Sequence, residues 1–143
     1  MEIKKGVLAL IDANINRSRE GLRVTEDISR FILRDKKLTS FNKKIRHGIT
    51  GASKQLGHKV SILLESRDSA SDTGRNIKQD SEFKRGGIDD ILLSNFKRAQ
   101  ESLRVLEEIS KLINRNTSRM FKELRYETYV LEKKFMQKAG KKI

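Results

Sequence analysis

Apolar residues return every three or four positions over most of this chain, with charged residues between them, which is the pattern of amphipathic helices. The spacing predicts helix 1 over 4–33 and helix 2 over 40–64. Thr39 or Ser40 would cap helix 2, and Phe41, Ile45, Ile49, Ala52, Leu56, Val60 and Leu63 would form its buried stripe. Helix 3 covers 88–114 and helix 4 covers 118–138, with Thr117 as cap and Phe121, Leu124, Thr128, Leu131 and Phe135 facing inward. No two-residue alternation of the strand type competes. Between the pairs lies a polar, glycine-bounded stretch, 65–87, and a connection of that length in a compact domain is usually functional or disordered.

The second half of the chain repeats the first. Residues 13–32, ANINRSREGLRVTEDISRFI, align without a gap on 94–113, SNFKRAQESLRVLEEISKLI. The offset of 81 superposes Asn14 on Asn95, Arg17 on Arg98, Glu20 on Glu101, Arg23 on Arg104, Glu26 on Glu107 and Ser29 on Ser110. A shorter echo sets Lys43–His47 on Lys122–Tyr126 at an offset of 79, so the second hairpin turn is two residues shorter. Repetition on this scale, polar identities included, marks a duplicated supersecondary unit. The expected fold is therefore all-α: a single domain, 1–143, in which helical hairpins 4–64 and 88–138 bury their apolar faces as a four-helix bundle, joined by loop 65–87.

Some polar residues fall where a helix should be apolar. At about 100° per residue, Asn14 and Arg17 share the sector of Gly21, Val24, Ile28 and Ile32, and Asn95 and Arg98 share that of Val105, Ile109 and Leu112. Glu20 and Glu101 lie at the margin, spaced for i,i+3 contact with the arginines. An arginine on a buried face is costly unless paired and hydrogen-bonded. Two readings follow: an Arg–Glu staple between hairpins, or a pocket in which two arginines meet an anion, for which the planar guanidinium fork is suited. Arg46 and Arg125 border their apolar stripes and are in reach of the same pocket, whereas Arg23, Arg104, Glu26 and Glu107 fall on the polar face as surface ion pairs.

Composition narrows the chemistry. Of 143 residues, 32 are Lys or Arg and 19 are Asp or Glu, a net charge of +13 that favours anionic partners, although scattered surface lysine gives the same sum. Cysteine and proline are absent, which excludes disulfides and thiolate metal sites. Phosphate-loop and dinucleotide fingerprints are missing, and two histidines, His47 and His58, do not make a zinc motif. No apolar run approaches a membrane span or a secretory signal, so the expected location is the cytoplasm.

Two long motifs carry a family resemblance. Ile11-Asp12-Ala13-Asn14-x-Asn16-Arg17-x-Arg19-Glu20-Gly21-Leu22-Arg23-Val24-x-Glu26-Asp27 and Asn95-Phe96-Lys97-Arg98-Ala99-Gln100-Glu101-x-Leu103-Arg104-Val105-Leu106-Glu107-Glu108 resemble a bacterial thiamine-biosynthesis family. This is the small helical hydroxymethylpyrimidine-phosphate kinase domain, which occurs alone or fused to the amino side of thiamine-phosphate synthase. Leu124-Arg125-Tyr126 and Arg67-Asp68-Ser69-x-x-Asp72-x-Gly74 extend the likeness, with Ala70-Ser71 standing where the family has a Pro-Gly-like turn. The resemblance implies ATP-dependent phosphorylation of hydroxymethylpyrimidine phosphate to the diphosphate. Under it, Arg17 and Arg98, with Arg46 or Arg125, are expected to bind phosphates, and Asn14 and Asn95 to orient the pyrimidine or ribose. Glu20 and Glu101 join them on the substrate side, Arg67 on the nucleotide side, and Asp68 and Asp72 recruit Mg²⁺, which favours carboxylates plus phosphate oxygens. Loop 65–87 would act as a lid. A homodimer or a thiamine-phosphate synthase partner fits the same reading. The alternatives are a basic helical nucleic-acid-binding protein, whose affinity would fall steeply with salt, and a non-catalytic docking or regulatory module of a thiamine-phosphate synthase.

Overall fold

The computed structural model describes residues 2–57, 60–77 and 84–142, with the side chains of 2–3, 60–61 and 141–142 excepted. It is all-helical, with no strand among the described residues. Helix α1 spans Glu2–Asp27 and continues as a wider π-helical turn, Ile28–Leu33. Then come α2 (Lys36–Lys54), the short α3 (Val60–Ser66), α4 (Ile88–Ser110) and α5 (Arg115–Lys142). Where one unbroken helix was expected over 40–64, the chain leaves α2 through Gly57, whose φ of +76° belongs to the left-handed region that glycine adopts without strain. His58 and the middle of loop 65–87 lie outside the described residues.

The two hairpin turns differ by the two residues the repeat offsets demand. In the second, the Asn114 amide donates to Ser110 O (2.8 Å); in the first, the equivalent Asp35 amide donates to Ser29 O (3.0 Å). The same bond spans two more residues in the first turn. They are absorbed by the π-helical widening, the usual way a helix takes an insertion, and by Arg34 at φ 52°. The caps are correspondingly Asp35 and Asn114, not Thr39, Ser40 or Thr117. Asp35 Oδ1 accepts from the Leu38 amide (3.0 Å), and Asn114 Oδ1 accepts from those of Asn116 and Thr117. The Leu38 amide and then Lys138 hold the Asp35 carboxyl below its ordinary pKa.

Each long helix packs on two others: α1 on α2 and α4, α5 on α4 and α2. Between them Ile11, Leu22, Ile45, Ile49, Leu92, Phe96, Leu103, Leu106, Phe121, Leu131 and Phe135 are fully buried, with Phe96 and Phe135 edge to face at 5.1 Å. Gly21 sets the approach of α1 to α4, because a Cβ there would lie 2.7 Å from Asn95 O. The inward sector of α1 is the expected one only in part: Asn14, Gly21 and Ile28 are buried in it, Arg17 is not. Val24 (37% exposed) and Ile32 (52%) face out, as does Leu112 (81%), while Ser18, Thr25 and Ser29 are buried. Each of these three hydroxyls donates to a carbonyl three residues back, Ile15, Leu22 and Glu26, so burial leaves no donor unmet and the small side chains admit a close neighbour.

Inside each hairpin sits the same ionic cluster. Arg46 Nε and Nη2 donate to Glu26 (3.2 and 3.3 Å), and Arg23 reaches Glu26 and Asp27 from the same helix. At the duplicated positions Arg125 Nε donates to Glu107 (3.0 Å), and Arg104 reaches Glu107 and Glu108. Glu26 and Glu107 are each only 4% exposed, so these are not the surface ion pairs expected of them. A carboxylate buried against two arginines is satisfied as it stands, and removing one partner strands the rest.

Two stability experiments follow. Gly21→Val should lower the unfolding free energy by about 1–3 kcal/mol through overpacking against α4. Gly51→Ala, at a helical position with open space around its missing Cβ, should raise it by about 0.5–1 kcal/mol in the same denaturant titration. Glu107→Gln should cost on the order of 3 kcal/mol, whereas Glu108→Gln, on the exposed side of the same cluster, should leave the unfolding midpoint almost unchanged.

Candidate functional site

The antiparallel pair α1–α4 leaves an open cleft of about 1070 Å³ on its outer side, walled by the first described residues of the long loop. Its polar lining is Asn14, Arg17 and Glu20 from α1, Arg98 from α4, and Arg67, Asp68 and Asp72 from the loop. Arg17 and Arg98 do not point into the core as their sector suggested. Both are exposed, because the buried face of α1 is centred on Ser18, Gly21, Leu22 and Thr25, which leaves the arginines at the edge of the α1–α4 contact. They still meet at one cleft, and among the described residues neither makes an ion pair. The Arg–Glu staple between hairpins foreseen as their other role is not formed by them; the buried Arg–Glu pairs, of Arg46 and Arg125, lie within each hairpin.

Those two arginines, expected at the same pocket, are engaged with Glu26 and Glu107. Arg125 lies in a different groove, between α4 and α5, together with Glu101. Asn95 makes the same bond as its counterpart: Asn14 Nδ2 donates to Leu10 O (2.9 Å) and Asn95 Nδ2 to Ile91 O (2.8 Å). Only Asn14, however, lines the cleft. With its amide nitrogen committed to the helix, Asn14 offers the cleft its carbonyl oxygen.

Asp12 is the residue that sequence reasoning passed over. It is 7% exposed, and its two oxygens accept from Arg67 Nε (2.8 Å) and Nη2 (2.9 Å) across 55 residues of chain. The signal was present, since an acid beside Ile11 on a buried stretch of helix requires a cationic partner. The fork fixes the start of the loop to α1. Hydrogen bonding to Asp12, its charge, and that of Glu20 hold the Arg67 guanidinium firmly protonated. Arg67 keeps Nη1 unengaged by this pair.

The two loop carboxylates also shape the loop. Asp68 Oδ1 accepts from the Ser71 amide (3.0 Å) and Asp72 Oδ1 from the Gly74 amide (2.9 Å), turns of the kind Asp favours. Bonds from Ser71, side chain first and backbone second, hold the Asp68 carboxyl below its ordinary pKa, so it is anionic near neutrality. Both carboxylates stand on the cleft wall, and Asp72 retains a second oxygen there. Among the described residues no group of three or more His, Cys, Asp or Glu gathers as a metal cage. Two carboxylate oxygens suit Mg²⁺ delivered with phosphate oxygens, the mode in which that ion is commonly held.

Comparison with known proteins places this geometry. The thiamine-phosphate synthase of Nostoc punctiforme is 35% identical over 135 residues, 94% of this chain and 37% of that protein. That of one Prochlorococcus marinus strain is 39% identical over 127 residues, 88% of this chain and 35% of that protein. The synthase of Rhodopirellula baltica is 35% identical over 123 residues, 86% of this chain and 32% of that protein. The chain therefore spans about a third of the length of these curated relatives. No solved structure matches it. Residues 9–134, most of the chain and all of the cleft lining but Gly6, match the ThiD2 family, and the chain belongs to that family.

Proposed function

We propose that this protein is an ATP-dependent kinase of thiamine biosynthesis that converts hydroxymethylpyrimidine phosphate to the diphosphate in the α1–α4 cleft. The observation that carries the reading is the pair of ion-pair-free arginines, Arg17 and Arg98, one from each repeat and both opening on one cleft beside Arg67. In the fold we infer, a duplicated helical hairpin closes as a four-helix bundle, and the internal symmetry presents the two guanidinium groups to a shared ligand. The names of the relatives place them in thiamine synthesis, and the family resemblance of the motifs supplies the reaction.

The chemistry asks little covalent help from the protein. The acceptor is a phosphomonoester whose second pKa is about 6, so near neutral pH it is largely a dianion and needs no general base. Its oxygen attacks the γ-phosphorus of ATP, the bond from that phosphorus to the β–γ bridging oxygen breaks, and ADP leaves. The obstacle is the approach of two polyanions, and catalysis of such a transfer is mainly positioning and charge neutralisation. Arg17 and Arg98 neutralise the phosphates between them, Arg67 adds its free Nη1, and Asn14 and Glu20 meet the pyrimidine. Asp68 and Asp72 would hold Mg²⁺, which would draw negative charge off the nucleotide phosphates.

The longer relatives favour a second reading, in which the domain is a docking or regulatory module of a thiamine-phosphate synthase, held as a separate chain or as a homodimer. It predicts ligand binding without turnover. No helix among the described residues is long and apolar enough to cross a membrane, which suits the cytoplasmic location we propose.

The test is a phosphorus NMR assay of the purified protein with ATP, Mg²⁺ and hydroxymethylpyrimidine phosphate. The diphosphate should form, and Arg17→Ala and Arg98→Ala should each lower turnover at least about 100-fold, the scale of losing one charge-stabilising donor. Their melting temperatures should stay within a few degrees, since both side chains are exposed. The phosphorylated pyrimidine at about 100 times its dissociation constant should add roughly 2.7 kcal/mol of stability, and the free alcohol none. Full turnover in both arginine variants would end this assignment of the site.

A further inference from the structure

A second groove, of about 490 Å³, lies between α4 and α5, and nothing in the cleft chemistry accounts for it. It is lined by Lys97, Gln100, Glu101, Arg104, Arg125 and Tyr129. The Arg125 guanidinium lies 5.0 Å from the ring centre of Tyr126 and 5.8 Å from that of Tyr129, and the rings meet edge to face at 5.9 Å. Arg125 Nη1 donates to the Tyr129 hydroxyl (3.3 Å), and its Nε is held by Glu107, so the planar cation is fixed in place. Yet Tyr126 is 54% exposed and Tyr129 40%. Two large aromatic faces are thus ordered at the surface without being covered, backed by a guanidinium that is itself only 12% exposed.

This surface is not part of the duplicated frame. At the offset of 79, Tyr126 and Tyr129 correspond to His47 and Thr50, and at 81, Lys97 and Gln100 correspond to Asn16 and Arg19. The ionic cluster beneath is the same in both hairpins and Lys97 for Asn16 is offset by Gln100 for Arg19, so what the second half added is aromatic surface. Gln100, 5% exposed, gives its amide nitrogen to Glu132 (3.1 Å) and keeps a carbonyl oxygen to accept from an exocyclic amine. Aromatic rings and arginine planes are the platforms on which nucleobases stack.

We infer that the α4–α5 groove is the base-binding site for a nucleoside polyphosphate, with the base against Tyr129 and Arg125 and the phosphate chain running over Lys97 to Arg98. Lys97 and Arg98 are consecutive on α4, about 100° apart, one lining the groove and the other the α1–α4 cleft. A nucleotide laid across α4 reaches from one to the other. The groove stands on its own geometry; the path of the phosphates into the cleft rests on the kinase reading.

The protein contains no Trp, and of its two Tyr residues Tyr129 lines this groove while Tyr126 meets it edge to face from outside, so in Tyr126→Phe the intrinsic fluorescence reports on the groove. ATP and ADP, added without acceptor and read at the red edge of tyrosine absorption, should quench it saturably. Inorganic tripolyphosphate should bind more weakly and leave the emission unchanged. By calorimetry, Tyr129→Leu should raise the dissociation constant for ATP about tenfold, the scale of one lost stacking contact, and leave that for hydroxymethylpyrimidine phosphate unaltered. Saturable quenching without phosphoryl transfer would support the groove while sinking the kinase. ATP binding that leaves tyrosine emission untouched and ignores Tyr129→Leu would overturn the groove and leave the kinase standing. Tripolyphosphate binding as tightly as ATP would overturn a role for the base, and no nucleotide binding at all would overturn both.

Discussion

How closely α1 comes to α4 decides what the rest of this molecule can do. Gly21 lies so near the carbonyl of Asn95 that no side chain fits between them, and Ala99 completes the contact. Helices that touch backbone to backbone cannot interpose large side chains, so residues at the margin of the contact are carried outward to its rim. Arg17 and Arg98 are those residues. A wider spacing would have allowed them to interleave with the carboxylates across the interface. The narrow one strands both on the same side, each without an ion partner among the described residues, beside a loop that brings a third arginine.

Charge accounting within the hairpins reinforces this. Four arginines, Arg23, Arg46, Arg104 and Arg125, surround the two buried glutamates, and Asp12 takes Arg67. A buried carboxylate is stable only when its cations are spoken for. Once Glu26 and Glu107 are satisfied within their own hairpins, no buried acid remains to claim Arg17 or Arg98. The clusters therefore serve the cleft indirectly: they rigidify each hairpin while the cleft arginines stay available to an external anion.

The helices, their pairing in sequence and the duplication were legible because period and repetition survive in a single chain. The inward stripes of the second and fourth helices were legible too, with Ile45, Ile49, Phe121, Leu131 and Phe135 buried as expected; what failed in part was the rotation of the first and third. Apolar Val24, Ile32 and Leu112 marked a face that turned outward, while Ser18, Thr25 and Ser29 took the inside by bonding to their own helix. A moment computed from hydrophobicity weighs those hydroxyls as polar and cannot register that they arrive already satisfied. The same error exchanged the roles of the glutamates and arginines, placing Glu26 and Glu107 outside and Arg17 and Arg98 inside. Long-range pairs were harder still, since Asp12 and Arg67 are joined only by the path of the loop. Even so, the cleft gathers Asn14, Arg17, Glu20, Arg67, Asp68, Asp72 and Arg98, all of them singled out by sequence pattern. Asn95, Glu101, Arg46 and Arg125 were named through their repeat partners or helix position and fall elsewhere.

That last divergence bears on how a symmetric frame acquires an asymmetric site. A perfect duplication would offer identical halves, and a reaction joining two different phosphorylated molecules needs halves that differ. The departures from symmetry are few and localised. Asp12 has Leu93 as its counterpart, so only the first repeat can anchor the loop through Arg67. Thr25 and Asn42, hydrogen-bonded in the first hairpin, become Leu106 and Phe121 in the second. His47 and Thr50 give way to Tyr126 and Tyr129. The two arginines at the α1–α4 rim are retained and exposed in both halves, like the ionic clusters inside the hairpins. Shared charge at the centre, with a carboxylate-bearing loop on one side and aromatic rings on the other, is the arrangement that distinguishes two ligands by their organic parts while gripping both by phosphate.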